Sequence, residues 1–84
     1  MAEQIMKRKI YLTYSAKLIK EAVICDMYDK LKVRFNIRSA SVSDAVGIIA
    51  LELEGTNTQI QAAIDYFKQR GVTVEPIEQD IIEG

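Results

Sequence analysis

The chain has 84 residues, of which 49% are hydrophobic and 27% are charged, and its formal net charge is -1 at pH 7. These values are typical of one small soluble globular domain with a narrow stability margin. Because 11 basic residues are balanced by 12 acidic ones, the chain lacks the excess positive charge that a general nucleic-acid or membrane-surface role requires. We therefore expect neither kind of partner.

A single cysteine and the lack of histidine limit the chemistry that the chain can carry. One cysteine excludes an intramolecular disulfide and a cysteine-based metal or cluster site, and without histidine there is no Ser-His-Asp or Cys-His pair. No apolar run in the sequence reaches membrane-spanning length, so we expect no membrane insertion. These observations predict a cytoplasmic domain without a metal or a cofactor.

The first predicted strand covers residues 5–14, where apolar side chains alternate with wetter positions, at Ile10, Leu12 and Tyr14. Ser15 is then placed to cap one amphipathic helix. Its apolar residues recur every four positions, at Ile19, Val23, Met27 and Leu31. Cys25 lies within this helix near the apolar side, and a cysteine there is more often a small buried hydrophobe than a redox centre.

The second predicted strand begins with apolar residues at odd positions, Val33, Phe35 and Ile37. The alternation then changes phase, because Ala40 and Val42 fall at even positions. One extra residue within 38–41 would return both to the core side, which is what a β-bulge does. The pattern therefore predicts a bulged strand with Asn36 and Arg38 on the open face of the sheet.

The rest of the chain predicts a hairpin, a helix and a last strand. Ser43 and Asp44 mark a turn into the third strand, VGIIALELEG. Thr56 and Gln59 have the spacing of a capping box that begins the second helix. That helix carries one apolar face and ends before the C′ glycine Gly71, the face being Ile60, Ala63, Ile64 and Phe67. The last strand, VTVEPIEQD, contains a proline and should therefore lie at an edge.

The order βαββαβ, with a hairpin between the second and third strands, predicts a four-stranded antiparallel sheet in the order 4-1-3-2. Both helices should pack on one face, as in an α+β, ferredoxin-like sandwich. No linker or low-complexity segment divides the chain. We predict a single domain over residues 1–84, with a core from about 7 to 80 and a loose acidic tail at 81–84.

Function must be argued from sites, because ferredoxin-like folds host many activities. Glu52 and Glu54 share one side of the third strand, as an acid/base pair would. Lys7 and Lys9 of the neighbouring first strand share that face, so cross-strand charge pairing explains the glutamates without a reaction. The third strand lacks the aromatic and basic residues of an RNA-recognition module, and there is neither a glycine-rich phosphate loop nor an acylphosphatase-type arginine-asparagine site. We expect no enzymatic activity.

Four runs of the sequence carry a resemblance to a known family: FNIRSASV, GIIALELEG, TQIQAAIDYFKQRGV and VTVEPIE. In order and spacing they resemble the NIL domain, an ACT-like regulatory domain named for an Asn-Ile-Leu signature, over roughly residues 7–80. NIL domains occur at the C-terminus of the ATPase subunits of methionine-importing ABC transporters, and others are joined to ferredoxin-type iron-sulfur modules. The opening KRKIYLTYSAKLIKEAVI is closer to the second kind. The signature here departs from the pattern, since it reads Asn36-Ile37-Arg38.

The resemblance implies a function for each branch of the family. The transporter branch implies a dimeric domain that binds methionine and thereby inhibits import, with the signature asparagine close to the ligand. The ferredoxin-linked branch implies a role in sulfur assimilation and homocysteine formation. We therefore expect a non-enzymatic regulatory domain that binds a small sulfur amino acid such as methionine. The alternative is a protein-interaction adaptor acting on a ferredoxin or on a homocysteine-forming, sulfur-assimilation enzyme.

The candidate ligand site consists of the signature and the residue after it, Asn36, Ile37, Arg38 and Ser39. Asn36 can donate and accept hydrogen bonds, and Arg38 offers a planar fork of donors to a carboxylate. The alternative is that Asn36 only caps the sheet edge or bonds backbone across a dimer seam, while Arg34 and Arg38 are solvated. Since the second strand should be an unpaired edge, we expect a homodimer or another protein to cover it. The predicted dimer or partner surface comprises Tyr11, Arg34, Ile48 and Ala50.

Overall fold

The computed structural model describes residues 4–77 of the chain. Its elements, in chain order, are β1 (Met6–Ser15), α1 (Ala16–Ile19), α2 (Val23–Leu31), β2 (Arg34–Val42), β3 (Val46–Gly55), α3 (Asn57–Gln69) and β4 (Thr73–Pro76). The sheet order is β2-β3-β1-β4 with antiparallel neighbours throughout. This is the predicted 4-1-3-2 order, and the predicted α+β, ferredoxin-like fold is confirmed. The predicted acidic tail at residues 81–84 lies outside the described residues.

The hydrophobic core lies between one face of the sheet and the helices. Alternate residues of the central strands and one side of each long helix supply its fully buried side chains, among them Ile10, Leu12, Leu51, Leu53, Val23, Met27, Ile60 and Phe67. Burial of one such side chain stabilises the fold by about 1.5–3 kcal/mol. The opposite face of the sheet, which we call the open face, has no helix against it in the described part of the chain.

The helix α3 is delimited by local signals that the sequence contains. The Thr56 hydroxyl accepts a hydrogen bond from the Gln59 amide at 3.1 Å, and the Gln59 side-chain oxygen accepts one from the Thr56 amide at 2.8 Å. At the other end Gly71 adopts φ +93°, and the Val72 amide bonds back to the Phe67 carbonyl at 3.0 Å. The predicted capping box and C′ glycine are both confirmed.

The first helical segment differs from the prediction of one continuous helix, because it is divided into α1 and α2 by residues 20–22. Ala22 has φ -87° and ψ 58°, outside the helical region. Arg70, from the far end of α3, contacts the segment around this break, with its guanidinium 3.4 Å from Glu21 and 2.9 Å from Asp26. An apolar spacing of four residues fits both a continuous and a divided helix, so periodicity did not reveal the break.

Of two smaller predictions about this segment, the position of Ser15 is confirmed and the burial of Cys25 is wrong. Ser15 is the N-cap residue of α1, but its side chain makes no capping hydrogen bond. Cys25 is exposed because α2 restarts with Val23 and Met27 directed into the core, and a residue two positions from Val23 lies on another side of a helix.

The predicted bulge in β2 is confirmed. Ile37 lies opposite Leu51 of β3, whereas Ser39 lies opposite Ala50, so Arg38 is the extra residue on its strand. Beyond it Ala40 and Val42 face Ile49 and Gly47, on the same side of the sheet as the core. Ile37 is also on that side, but half of its surface is exposed (50%), since β2 lies at the edge of the sheet.

None of the helices within residues 4–77 has the length and apolar character needed to cross a membrane.

Candidate functional site

A polar depression of about 280 Å³ lies on the open face of the sheet, beside the edge strand β2. We call it the Asn36 depression. Three strands contribute its lining residues, which are Lys7, Arg34, Phe35, Asn36, Glu52 and Glu54. The strand register explains why they meet, since Lys7 and Arg34 both lie opposite Glu54, and Asn36 lies opposite Glu52.

The charges of the Asn36 depression are arranged in opposed pairs. The Arg34 guanidinium Nε lies 3.8 Å from the Glu54 carboxylate, and Lys7 flanks the same glutamate from β1. Both side chains of the ion pair are partly exposed, so the pair itself adds little stability. Two cationic groups, two carboxylates and one amide in a single depression are suited to a small zwitterion that carries both an ammonium and a carboxylate group.

The structure separates the four predicted ligand-site residues. Asn36 lines the depression, whereas Ile37 points to the opposite side of the sheet. Arg38 is the bulge residue, and Ser39 lies beyond it opposite Ala50. Of the four, only Asn36 is among the residues that line the depression.

Lys7, Glu52 and Glu54 were not predicted as ligand-binding groups. The strand alternation did place them on the open face, where the confirmed register now puts Lys7 opposite Glu54 and Lys9 opposite Glu52. What the sequence lacked was the position of Asn36 relative to them, which depends on the register between β2 and β3.

The residues of the predicted dimer or partner surface all lie on the open face, but they differ in exposure. Tyr11 and Ile48 each expose 42% of their surface, and Arg34 is exposed at the rim of the Asn36 depression. Ala50 is only 7% exposed, because it lies in the central ladder between Tyr11 of β1 and Ser39 of β2.

A second concavity, of about 220 Å³, lies on the opposite side of the sheet, and we call it the Tyr14 cavity. Its walls come from the end of β1, the connection between α1 and α2, and the ends of β2 and β3. Its lining residues are Tyr14, Ile19, Glu21, Ala22, Val23, Ile24, Cys25, Val42, Gly47 and Ile49. Burial raises the pKa of Tyr14 to about 12, although the nearby charge of Arg70 acts in the opposite direction. The phenol is therefore protonated at neutral pH.

Among residues 4–77, no three His, Cys, Asp or Glu side chains are placed to hold a metal ion together.

An antiparallel sheet with helices on one face and a bulged edge strand beside a polar depression defines a small α+β domain of the ferredoxin-like class. The chain belongs to the NIL domain family, whose model matches residues 8–76. This confirms the resemblance inferred from the sequence.

Nine chains of known structure match the fold. One is the C-terminal domain of an ABC transporter ATP-binding protein from Enterococcus faecalis, with a TM-score of 0.73 and 19% sequence identity over 87% of this chain and 86% of that one. At this level of identity the likeness shows a shared fold. No curated protein sequence matches the chain significantly.

Proposed function

We propose that this protein is a non-enzymatic regulatory domain that binds a small sulfur amino acid, such as methionine, in the Asn36 depression. Membership of the NIL family supports a regulatory role, as does the shared fold with a domain that belongs to an ABC transporter ATP-binding protein. The observation that carries the proposal is the grouping of Asn36 with Lys7, Arg34, Glu52 and Glu54 around one depression.

An α-amino acid carries the two charged groups that the side chains of the depression can bind. Its carboxylate is suited to Lys7 and Arg34, and its ammonium group to Glu52 and Glu54. Asn36 can serve either group, because an amide both donates and accepts hydrogen bonds. Arg38 stands at the adjoining bulge and is the further donor that we expect to reach the carboxylate.

The side chain of the ligand needs an apolar cover, which a polar depression does not provide. We propose that a second copy of the chain supplies this cover in a homodimer formed at the β2 edge and the open face. The outer backbone groups of β2 are free of strand partners within residues 4–77, and such edges favour strand addition. Tyr11 and Ile48 would lose their exposure to water in such a dimer.

Isothermal titration with methionine and homocysteine tests this proposal. Replacement Asn36→Ala should weaken binding by about tenfold or more, since it removes hydrogen bonds to charged groups of the ligand. Ser41→Ala is the matched control, because Ser41 is exposed in the same strand beyond the bulge and does not line the depression. The proposal is wrong if neither amino acid produces heat, or if Asn36→Ala binds as well as the unaltered protein.

A second candidate function is that of an adaptor that docks on a ferredoxin or on a homocysteine-forming, sulfur-assimilation enzyme. The observation in its favour is the set of exposed apolar side chains along β2 and the start of β3, where Ile37, Val42, Val46 and Ile48 expose 50%, 59%, 37% and 42% of their surface. Co-purification from the native host distinguishes the two functions. A stable protein partner, together with no heat of binding for methionine or homocysteine, would favour the adaptor.

A further inference from the structure

The Tyr14 cavity is lined in part by a buried tyrosine. Tyr14 exposes only 5% of its surface, and within residues 4–77 its hydroxyl neither donates nor accepts a hydrogen bond. Buried hydroxyls in folded proteins are normally hydrogen-bonded to protein, water or ligand. An unsatisfied phenol beside an open cavity therefore points to a group that arrives from outside.

The rest of the cavity wall is almost entirely apolar. Besides Tyr14, the apolar residues that line the cavity include Ile19, Val23, Ile24, Val42 and Ile49. Gly47 adds to the open space, because a Cβ atom built at that position would lie 3.6 Å from both Ile19 and Tyr14. A glycine therefore leaves room here that a methyl group would fill without a clash.

The outer wall of the cavity is held in place from α3. The Arg70 guanidinium donates a hydrogen bond to Asp26 at 2.9 Å and one to the Tyr66 hydroxyl at 2.8 Å, and it also pairs with Glu21 at 3.4 Å. Residues 22–25, which form the wall, lie between these two anchored carboxylates. The cavity is thus a preformed space between two fixed elements.

We propose that the Tyr14 cavity is a binding site for a small, uncharged, mainly apolar molecule with one hydrogen-bond acceptor, which accepts a hydrogen bond from the Tyr14 hydroxyl. A cavity of roughly 150 Å³ accommodates benzene, so a volume of about 220 Å³ suits a molecule of about six to eight non-hydrogen atoms. A charged ligand is disfavoured by the apolar wall, because Glu21, the one charged lining residue, is already paired with Arg70.

This site is independent of the Asn36 depression. The depression opens on the side of the sheet away from the helices and is polar, whereas the cavity lies on the helix side and is apolar. The two share no lining residue.

The test is an NMR titration of the 84-residue chain with 2-pentanone, which has six non-hydrogen atoms, one acceptor and no donor. We expect saturable shifts of the amide signals of Ala22, Ile24 and Gly47. Replacement Tyr14→Phe keeps the ring and should weaken binding by about 3- to 10-fold, since it removes one neutral hydrogen bond. Gly47→Ala should weaken it as well, by occupying part of the cavity.

Tyr28→Phe is the matched control, because Tyr28 is exposed on α2 and does not line the cavity. It should leave the affinity for 2-pentanone unchanged. The proposal is overturned if no saturable shifts occur, if Tyr14→Phe binds 2-pentanone as tightly as the unaltered protein, or if Gly47→Ala has no effect. Methionine should not displace 2-pentanone, because the two sites share no lining residue. A negative titration with one ligand therefore does not contradict the proposal for the other site.

Discussion

The Asn36 depression and the Tyr14 cavity both include residues of the hairpin formed by β2 and β3, but they have opposite chemistry. Asn36 and Val42 are both even-numbered residues of β2, yet the first faces the polar depression and the second faces the apolar cavity. Strict alternation would place them on one side of the sheet. They lie on opposite sides because Arg38 is an extra residue between them. One bulge therefore allows a single edge strand to contribute to two different sites.

The largest expected effect is a difference in the free energy of unfolding between replacements on the two sides of β3. Leu51 is fully buried on the core side (0% exposed), whereas its neighbour Glu52 lines the depression. Leu51→Ala should lower the free energy of unfolding by about 2–5 kcal/mol because it leaves a cavity. Glu52→Ala should change it by no more than about 0.5 kcal/mol. Urea denaturation followed by circular dichroism measures both, and equal losses would contradict the assignment of the two faces.

A smaller effect is expected from the ionisation of Tyr14. The unfolded phenol loses its proton near pH 10, whereas burial keeps the folded one protonated to about pH 12. Between these values the unfolded state binds fewer protons, so the free energy of unfolding should fall as pH rises, by about 1–3 kcal/mol. Below pH 10 the full stabilisation is present. Tyr14→Phe should lack this part of the alkaline decline, and denaturation curves collected from pH 9 to 12 would show it.

Tyr28→Phe again serves as the control for the pH series, because Tyr28 is exposed. If Tyr14→Phe and Tyr28→Phe both show the same fall in the free energy of unfolding at high pH as the unaltered protein, the phenol of Tyr14 is not buried as the structure describes.

The smallest expected effect on stability comes from deletion of Arg38. Without it, the residues from Phe35 to Val42 alternate regularly, and every remaining side chain keeps its side of the sheet. We expect the free energy of unfolding to change by less than about 1 kcal/mol, while affinity for methionine falls because the bulge beside the depression is lost. Thermal denaturation and titration measure the two quantities.

Deletion of Asn36 is the contrasting variant for that experiment. It shortens β2 by the same amount but moves Ile37 to the open face and Arg38 to the core side. It should therefore lower the melting temperature more than deletion of Arg38 does. The opposite ranking would show that Arg38 is not the extra residue of the strand.

Local patterns were sufficient to predict much of the molecule. The alternation in β1 and β3, the capping box at Thr56 and the C′ glycine Gly71 each depend on residues close together in sequence, and each is confirmed. Even the bulge was predictable, because a change of phase in the apolar pattern is itself a local signal. The candidate site was predicted only at Asn36, since the groups around it belong to three different strands.

The sequence by itself determined the order of the strands, the face that alternating residues of β1 and β3 occupy, and where α3 begins and ends, because periodicity and capping act over a few residues. It did not determine the end of the last strand, which was predicted as VTVEPIEQD but covers Thr73–Pro76 within the described residues. Only the tertiary structure decided the division of the first helix, the exposure of Cys25, the grouping of charges around Asn36 and the cavity beside Tyr14. Each of these depends on contacts between distant segments, such as Arg70 with Glu21 and Asp26. Such contacts arise from packing, which no local pattern in the chain encodes.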